Sequence, residues 1–328
     1  MKHRGLVLGK FMPPHAGHRA MIEYALQFCE EVVVMVCVSD KETIGAPIRM
    51  AWMEQSFAGD PRVLVRLVAY DEAVLPNSSV SSREISRLWA DYIKDHFPGV
   101  AVFISSEPYG DYVAEYLGIE HRCFDRERKL VPVCASAILS NPFKHWELIA
   151  PAARPWFVKK ICISGSESTG KSTLTERLGA WFNTAIVPEM AREVIETTEE
   201  VVFDDLLRIA TLHAKTINER VLQANKLLIC DTDVHITKSY ARFLFDRELV
   251  VPDWIDEANR FDLHIFLNTD CTYVQDGTRL GEAERNRLSG YHERQLQEVG
   301  ISYVTVGGNW EERFVRTREI LQHHFLNY

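Results

Sequence analysis

The chain has no CxxC pair, no block of consecutive lysines and arginines, no internal repeat and no low-complexity stretch. It also lacks any apolar run of the roughly 18–20 residues that a membrane-spanning helix needs. Each absence removes a class of protein. Most of the seven cysteines (Cys29, Cys37, Cys123, Cys134, Cys162, Cys230 and Cys271) sit in apolar runs, where a free thiol packs as a small hydrophobe, so they are read as reduced and structural. With a net charge of −9 and no basic stripe, there is no electrostatic footprint for a nucleic-acid backbone, and no nucleic-acid partner is expected. The first strand-like segment, Gly5 to Gly9, follows the N-terminus without an apolar leader core. The expected location is therefore the cytoplasm, with no membrane partner.

What is present is 328 residues, 46% of them hydrophobic, enough for two domains with separate cores. β-rich apolar runs (Val32–Val38, Val100–Ile104, Ile161–Ile163, Leu227–Cys230, His264–Leu267, and shorter ones at Gly5 and Val63) alternate with helix-period segments. Those helices are expected over Arg19–Glu30, Ser82–His96, Ser172–Phe182, Phe203–Asn225 and Glu311–Phe325. Alternation of this kind implies βαβ units and an α/β protein with parallel sheets covered on both faces. The rhythm breaks over Asn141–Trp156, which holds three prolines and two tryptophans, and this sets the domains at 1–154 and 155–328.

Gly165-Ser166-Glu167-Ser168-Thr169-Gly170-Lys171-Ser172 follows one strand and opens a helix, the context that a P-loop requires. Glycines let successive backbone N–H groups face phosphates at a helix N-terminus, with Thr173 in the helix's first turn. Lys171 reaches the β and γ phosphates of ATP, and the Ser172 hydroxyl suits Mg²⁺. Some 60 residues on, Leu227–Cys230 ends in Asp231 and Asp233, and Asp231 suits the Mg²⁺-side acid of such a site. Arg279, with Arg285 and Arg287, has the character of a lid that brings guanidinium groups to the transferring phosphoryl group; a salt-bridged helix face is the other reading.

Near the N-terminus Gly9-Lys10-Phe11-Met12-Pro13-Pro14-His15-Ala16-Gly17-His18 lies between a strand and a helix. Two histidines at this spacing both face the helix mouth, where ring N–H donors favour a phosphate, and Gly17 admits a close backbone approach. A metal site here lacks a third ligand.

This longer pattern, GKFxPxHxGH, resembles the nucleotidylyltransferase superfamily, whose implied front-domain fold is Rossmann-like. In the implied mechanism a substrate phosphate attacks the α-phosphorus of ATP while His15, His18, Lys10 and Mg²⁺ stabilise charge, with Gly9, Phe11 and Gly17 at the nucleotide. The order of an HxGH domain and then a P-loop domain, with Ser105–Asp111 and Asn141–Trp146 as connecting text, resembles the NadR family over nearly the whole chain. That family joins ribosylnicotinamide kinase to nicotinamide mononucleotide (NMN) adenylyltransferase. The resemblance implies that nicotinamide riboside is phosphorylated by the rear domain and the resulting NMN adenylylated to NAD by the front one. It further implies substrate-side roles for Glu189, Arg192 and Asp233 in the rear domain, and for Arg49, Trp52, Ser106 and Glu107 in front.

Two departures matter. Some family members begin with a helix-turn-helix domain, and this chain starts on the HxGH strand, so repression is not inferred. The superfamily segment I-S-x-T-x-I-R, whose arginine holds ATP phosphates, reads Val133-Cys134-Ala135-Ser136-Ala137-Ile138-Leu139 here. Loss of that guanidinium costs about ten- to a hundredfold in rate or affinity. A riboside kinase whose front domain binds NMN or NAD as a regulatory module is the alternative that this motivates. Self-association is left open.

Overall fold

The computed structural model describes residues 2–77, 81–195, 201–275 and 280–326. The chain forms two compact units, Met1–Arg154 and Pro155–Tyr328. The first contains β1 (Lys2–Gly9), α1 (Ala16–Ala25), β2 (Cys29–Val38), α2 (Ala46–Phe57), β3 (Val63–Ala69), α3 (Arg83–His96), β4 (Val102–Ser105), α4 (Tyr109–Leu117), β5 (Glu120–Cys123) and α5 (Ala135–Ser140). The second contains β6 (Lys159–Gly165), α6 (Lys171–Phe182), β7 (Ile186–Val187), α7 (Phe203–Arg220), β8 (Leu227–Asp231), α8 (Val234–Phe245), α9 (Asp253–Ala258), β9 (Leu263–Leu267), α10 (Glu282–Glu298), β10 (Tyr303–Val306) and α11 (Trp310–Leu321). Among the described residues each unit holds one five-stranded parallel sheet, ordered β3-β2-β1-β4-β5 and β10-β9-β6-β8-β7.

The continuous apolar run of β2 follows from its place in the sheet. Val32, Val34 and Val36 pack with Met21, Ile22 and Met53 from α1 and α2 on one face. Val33, Met35 and Cys37 pack with Ala90, Ile93, Val113 and Ala114 from α3 and α4 on the other. A strand buried on both faces has no polar alternation to show. α3 forms because its buried residues Ser86, Ala90 and Ile93 recur at helical spacing and the Ser82 hydroxyl caps it, accepting from the Ile85 N–H. In the second unit α7, α8 and α9 share a core of Leu206, Ile209, Ala214, Val234, Ala241 and Ile255. Among the described residues no helix is long and apolar enough to cross a membrane.

Several expected boundaries move. The helix expected to run to Glu30 ends at Ala25, because Cys29 already pairs opposite Lys2 as the start of β2. The one expected to reach Asn225 ends at Arg220 and continues as a single 3-10 turn, Val221–Gln223. The last helix ends at Leu321 and is followed by a π turn, Gln322–Leu326. In each sheet the strand order reverses around the first strand. The segments after β1 and β4, and those after β6 and β8, therefore flank the crevice where open parallel sheets take ligands.

Candidate active sites

In the front unit His15 is the N-cap of α1, and the cap is built from both histidines. The Gly17 N–H donates to His15 Nδ1 at 3.1 Å and the His15 N–H to His18 Nδ1 at 3.3 Å. With both Nδ1 atoms accepting, the ring protons sit on Nε2, and each imidazole keeps one N–H for a ligand. The rings stack with centroids 3.7 Å apart. Burial first, and the Arg128 guanidinium second, pull the His15 imidazole down to about 4. His18 is held well below its ordinary value by burial, then by His15 and Arg128. At neutral pH the pair offers neutral donors, which leaves no cation–cation repulsion across the stack. A Cβ on Gly17 would lie 3.1 Å from the His15 ring, so glycine keeps the cap closed. Phe11 is buried and packs under His18 at 4.8 Å, making it the floor of the turn.

These histidines line a cavity of about 370 Å³ with Gly9, Ser106, Glu107, Arg128, Cys134 and Ser136. A second cavity of about 330 Å³ is lined by Lys10, Tyr70, Ser82, Trp89 and Tyr109. Gly9 and Glu107 line both, so the two cavities meet at the ends of β1 and β4. Lys10 Nζ lies 3.0 Å from the Glu42 carboxylate. Tyr70 and Trp89 meet edge to face, 5.2 Å between centroids.

Two residues expected at the substrate, Arg49 and Trp52, lie outside both cavity walls. Arg49 is fully buried; its guanidinium pairs with Glu42 and donates to the carbonyls of Lys10, at 3.0 Å, and Cys37, at 3.3 Å. It therefore braces the strand ends behind the site. Trp52 is buried as well and lines neither cavity. Trp89 and Tyr70, which no motif marks, line the second cavity with Tyr109.

Sequence reasoning also missed Arg128. It stands at φ 52°, a left-handed conformation that costs an L-residue about 1–2 kcal/mol. Asp125 holds the turn by accepting the N–H groups of Lys129, Leu130 and Val131. Arg128 Nη2 lies 2.8 Å from Glu107 Oε1. Leu139, at the motif position of arginine, is 42% exposed and outside the cavity wall. The Cys134 thiol lies 3.1 Å from the Ser136 hydroxyl, and that bond, with the Ala137 N–H, draws its pKa below the usual thiol value.

In the rear unit the loop after β6 is held from several sides. Gly165 has φ 138°, and a Cβ there would lie 2.8 Å from the Leu267 carbonyl; Gly170 has φ 83° and lies against the Trp310 ring. Thr169 Oγ1 and Lys171 Nζ donate to the Ser166 carbonyl at 2.7 and 3.0 Å, and Ser166 Oγ donates to the Arg285 carbonyl. Glu167 accepts from the Tyr240 hydroxyl and the Leu280 N–H, and Ser168 Oγ from the Val274 N–H. Buried Arg313 donates to the Thr169 carbonyl at 2.9 Å. Ser172 Oγ donates to Asp231 Oδ2 at 2.6 Å, and Thr173 is exposed beside it. Burial, then the Glu189 carboxylate, raises the Asp231 pKa against the pull of Lys171 and Ser172. A hydroxyl and a carboxylate at this spacing form a hard-oxygen pair that fits Mg²⁺.

A cavity of about 80 Å³ opens next to Asp231, lined by Glu167, Glu189, Met190, His213 and Tyr240. His213 is buried, its Nε2 has no hydrogen-bond partner, and burial pulls it down to about 4. Arg192 lies 3.8 Å from Glu189 with most of its side chain exposed, outside the cavity wall. Asp233, expected on the substrate side, lies outside the wall of this cavity. It is buried, caps α8 by accepting the Ile236 N–H at 2.9 Å, and accepts from His264 Nε2 at 3.0 Å. Both carboxylate oxygens are thus engaged away from the cavity. Of the expected lid, Arg279 lies outside the described residues, Arg285 is buried with a guanidinium nitrogen on the Thr269 carbonyl, and Arg287 covers the Phe243 ring. Neither Arg285 nor Arg287 is presented as a lid residue.

Residues 160–313 match a family model described as an AAA domain. The trifunctional NAD biosynthesis/regulator protein NadR of Escherichia coli is 30% identical over 97% of this chain and 82% of its own length. Its namesake from Salmonella typhimurium is 30% identical over 98% of this chain and 83% of its own length. A crystal structure of NadR protein in complex with NR superposes with a TM-score of 0.77 at 24% identity, covering 100% of this chain and 97% of that one, which establishes a shared fold. Similarity at this level along nearly the full length means that the chain belongs to the NadR family.

Proposed function

We propose that the chain makes NAD from nicotinamide riboside in two ATP-consuming steps, the rear unit acting as a ribosylnicotinamide kinase and the front unit as an NMN adenylyltransferase. The observation that carries this reading is that each phosphate-handling cluster abuts a separate cavity for an acceptor. His15 and His18 face the cavity that meets the Tyr70–Trp89 cavity at Gly9 and Glu107. The Lys171–Ser172–Asp231 group sits beside the one lined by Glu189 and His213.

In the rear unit the riboside occupies the Glu189–His213 cavity, with its 5′-hydroxyl toward Asp231. Lys171 leaves the Ser166 carbonyl to meet the β and γ phosphates, and backbone N–H groups of residues 166–172 hold the rest. A Mg²⁺ held by Ser172 and Asp231 would neutralise charge on the transferring phosphate. In the front unit NMN lies along Tyr70 and Trp89, and its phosphate points to Gly9 and Lys10. ATP fills the His15–His18 cavity, where the two Nε2–H groups donate to its phosphates. The reaction needs no covalent intermediate; it needs in-line placement and fixed donors. The chain is read as cytoplasmic, with ATP, NMN and NAD as small-molecule partners and no nucleic acid.

The test is to give purified protein, ATP and Mg²⁺ either nicotinamide riboside or NMN, and to follow products. NMN and then NAD from the riboside, and NAD directly from NMN, are expected. Accumulation of NMN without NAD would instead favour a kinase with a binding-only front unit.

A further inference from the structure

The adenylyl-donor site needs a cation on the leaving phosphates, and the family segment that supplies one ends here in Leu139, outside the cavity wall. We propose that Arg128, on the loop preceding that segment, is the residue that binds the triphosphate of the adenylyl donor and offsets charge on the departing pyrophosphate. The proposal rests on reading the front unit as an adenylyltransferase.

Placement is the first argument. Among the described residues that line the 370 Å³ cavity, Arg128 carries the one Lys or Arg side chain; a further cavity of about 380 Å³ that also touches His15 and His18 holds Arg19 and Arg154, which pair with Glu23 and Glu147. Lys10 belongs to the neighbouring cavity and is engaged by Glu42. Arg83 is paired with Glu115 and lies over the Tyr112 ring, and Lys144 lines neither cavity. The second argument is presentation. The Arg128 backbone is held left-handed, its N–H donates to the Asp125 carbonyl at 2.8 Å, and the next three N–H groups close onto the Asp125 carboxylate. Disfavoured backbone persists where its surroundings enforce it, and here it aims a guanidinium at a cavity. The third is capacity. One nitrogen of Arg128 is held by Glu107, a residue at the junction of both cavities, and a guanidinium has further donors for phosphate oxygens. The field of this cation also reaches both histidine rings and favours their neutral, donating form.

In the step itself an oxygen of the NMN phosphate bonds to the α-phosphorus of ATP. The bond from that phosphorus to the bridging oxygen breaks, and its electron pair leaves on pyrophosphate. Arg128 transfers no proton; it meets the charge that develops.

The experiment measures initial rates of NAD formation from NMN with ATP varied, for the wild type, Arg128→Ala, Arg128→Gln and Leu139→Arg. Loss of one charge-assisted contact predicts a fall in kcat/KM for ATP of about ten- to a hundredfold in both Arg128 variants, with KM for NMN within about twofold. Millimolar guanidinium should restore part of the Arg128→Ala loss, and Leu139→Arg should leave the wild-type rate unchanged. The Gln variant retains the stem, so the measurement stands if the Ala variant folds poorly. Wild-type kcat/KM for ATP in Arg128→Gln would overturn the proposal alone, as would a tenfold gain in Leu139→Arg. Absence of NAD from wild-type protein with an active kinase would overturn the adenylyltransferase reading, and the proposal with it.

Discussion

The Ser172 hydroxyl donates to the Asp231 carboxylate at 2.6 Å, joining the start of α6 to the end of β8. That pair and Lys171 belong to the rear unit, whereas His18 belongs to the front one. Asp231→Asn and Lys171→Ala should each lower riboside phosphorylation at least a hundredfold and leave NAD formation from supplied NMN unchanged. His18→Ala should do the reverse. The two rates, measured side by side on each variant, check this; parallel loss of both in a folded variant would contradict separate sites.

Burial of neutral histidines makes the protein sensitive to acid. His15 and His213 are pulled down to about 4 and His292 to about 3, while His18 and His235 are also lowered, all chiefly by burial. Below about 6.5 the unfolded chain protonates these rings and the folded chain does not. Stability present above that pH is therefore lost as pH falls toward 4, by up to about tenfold in the folding equilibrium per pH unit for each of His15, His213 and His292, with His18 and His235 acting in the same direction. Asp231, whose carboxyl is raised, works in the opposite direction but is one group against five. Urea melts at pH 7.5, 6 and 5 should show midpoints falling steadily, and a flat series would contradict the assignment.

Gly170 is fixed by two constraints, a φ of 83° and a Cβ position 1.9 Å from a Trp310 ring carbon. Gly170→Ala should cost about 1–2 kcal/mol from backbone strain, with the overlap in addition, and should lower kinase activity at least tenfold. Adding Trp310→Ala should recover the overlap part and leave the strain. Thermal melts of the single and double variants separate the two contributions.

Trp89 walls the acceptor cavity, and Trp52 does not. Trp89→Ala should raise KM for NMN about tenfold, the worth of about 1–1.5 kcal/mol of aromatic contact, with a smaller fall in melting temperature than Trp52→Ala. Trp52→Ala should chiefly lower stability, by about 3–5 kcal/mol. The opposite pattern would restore Trp52 to the substrate.

The phosphate turns were legible because their chemistry is local: His15 and His18 cap one helix, and residues 165–172 form one strand-loop-helix. The strands buried on both faces were legible from unbroken apolar runs. β5, Glu120-His121-Arg122-Cys123, was not, since an edge strand next to β4 carries polar residues and shows no such run. Arg49 and Asp233 misled for a related reason. A charged residue beside a motif reads as a ligand contact, and only long-range packing shows it spent on Glu42 and two carbonyls, or on His264 and a helix cap. Arg128 left no sequence signal, because its role depends on a turn closed by Asp125 and on a cavity drawn from four separate segments.

The bond from Arg313 to the Thr169 carbonyl spans 144 residues, whereas the two imidazoles of the front turn lock within four. During synthesis the front turn can set as soon as it leaves the ribosome. The phosphate loop of the rear unit must wait until its brace, Arg313, has been translated. Between the translation of residue 172 and that of residue 313 the nascent chain thus carries a nucleotide pocket without its brace.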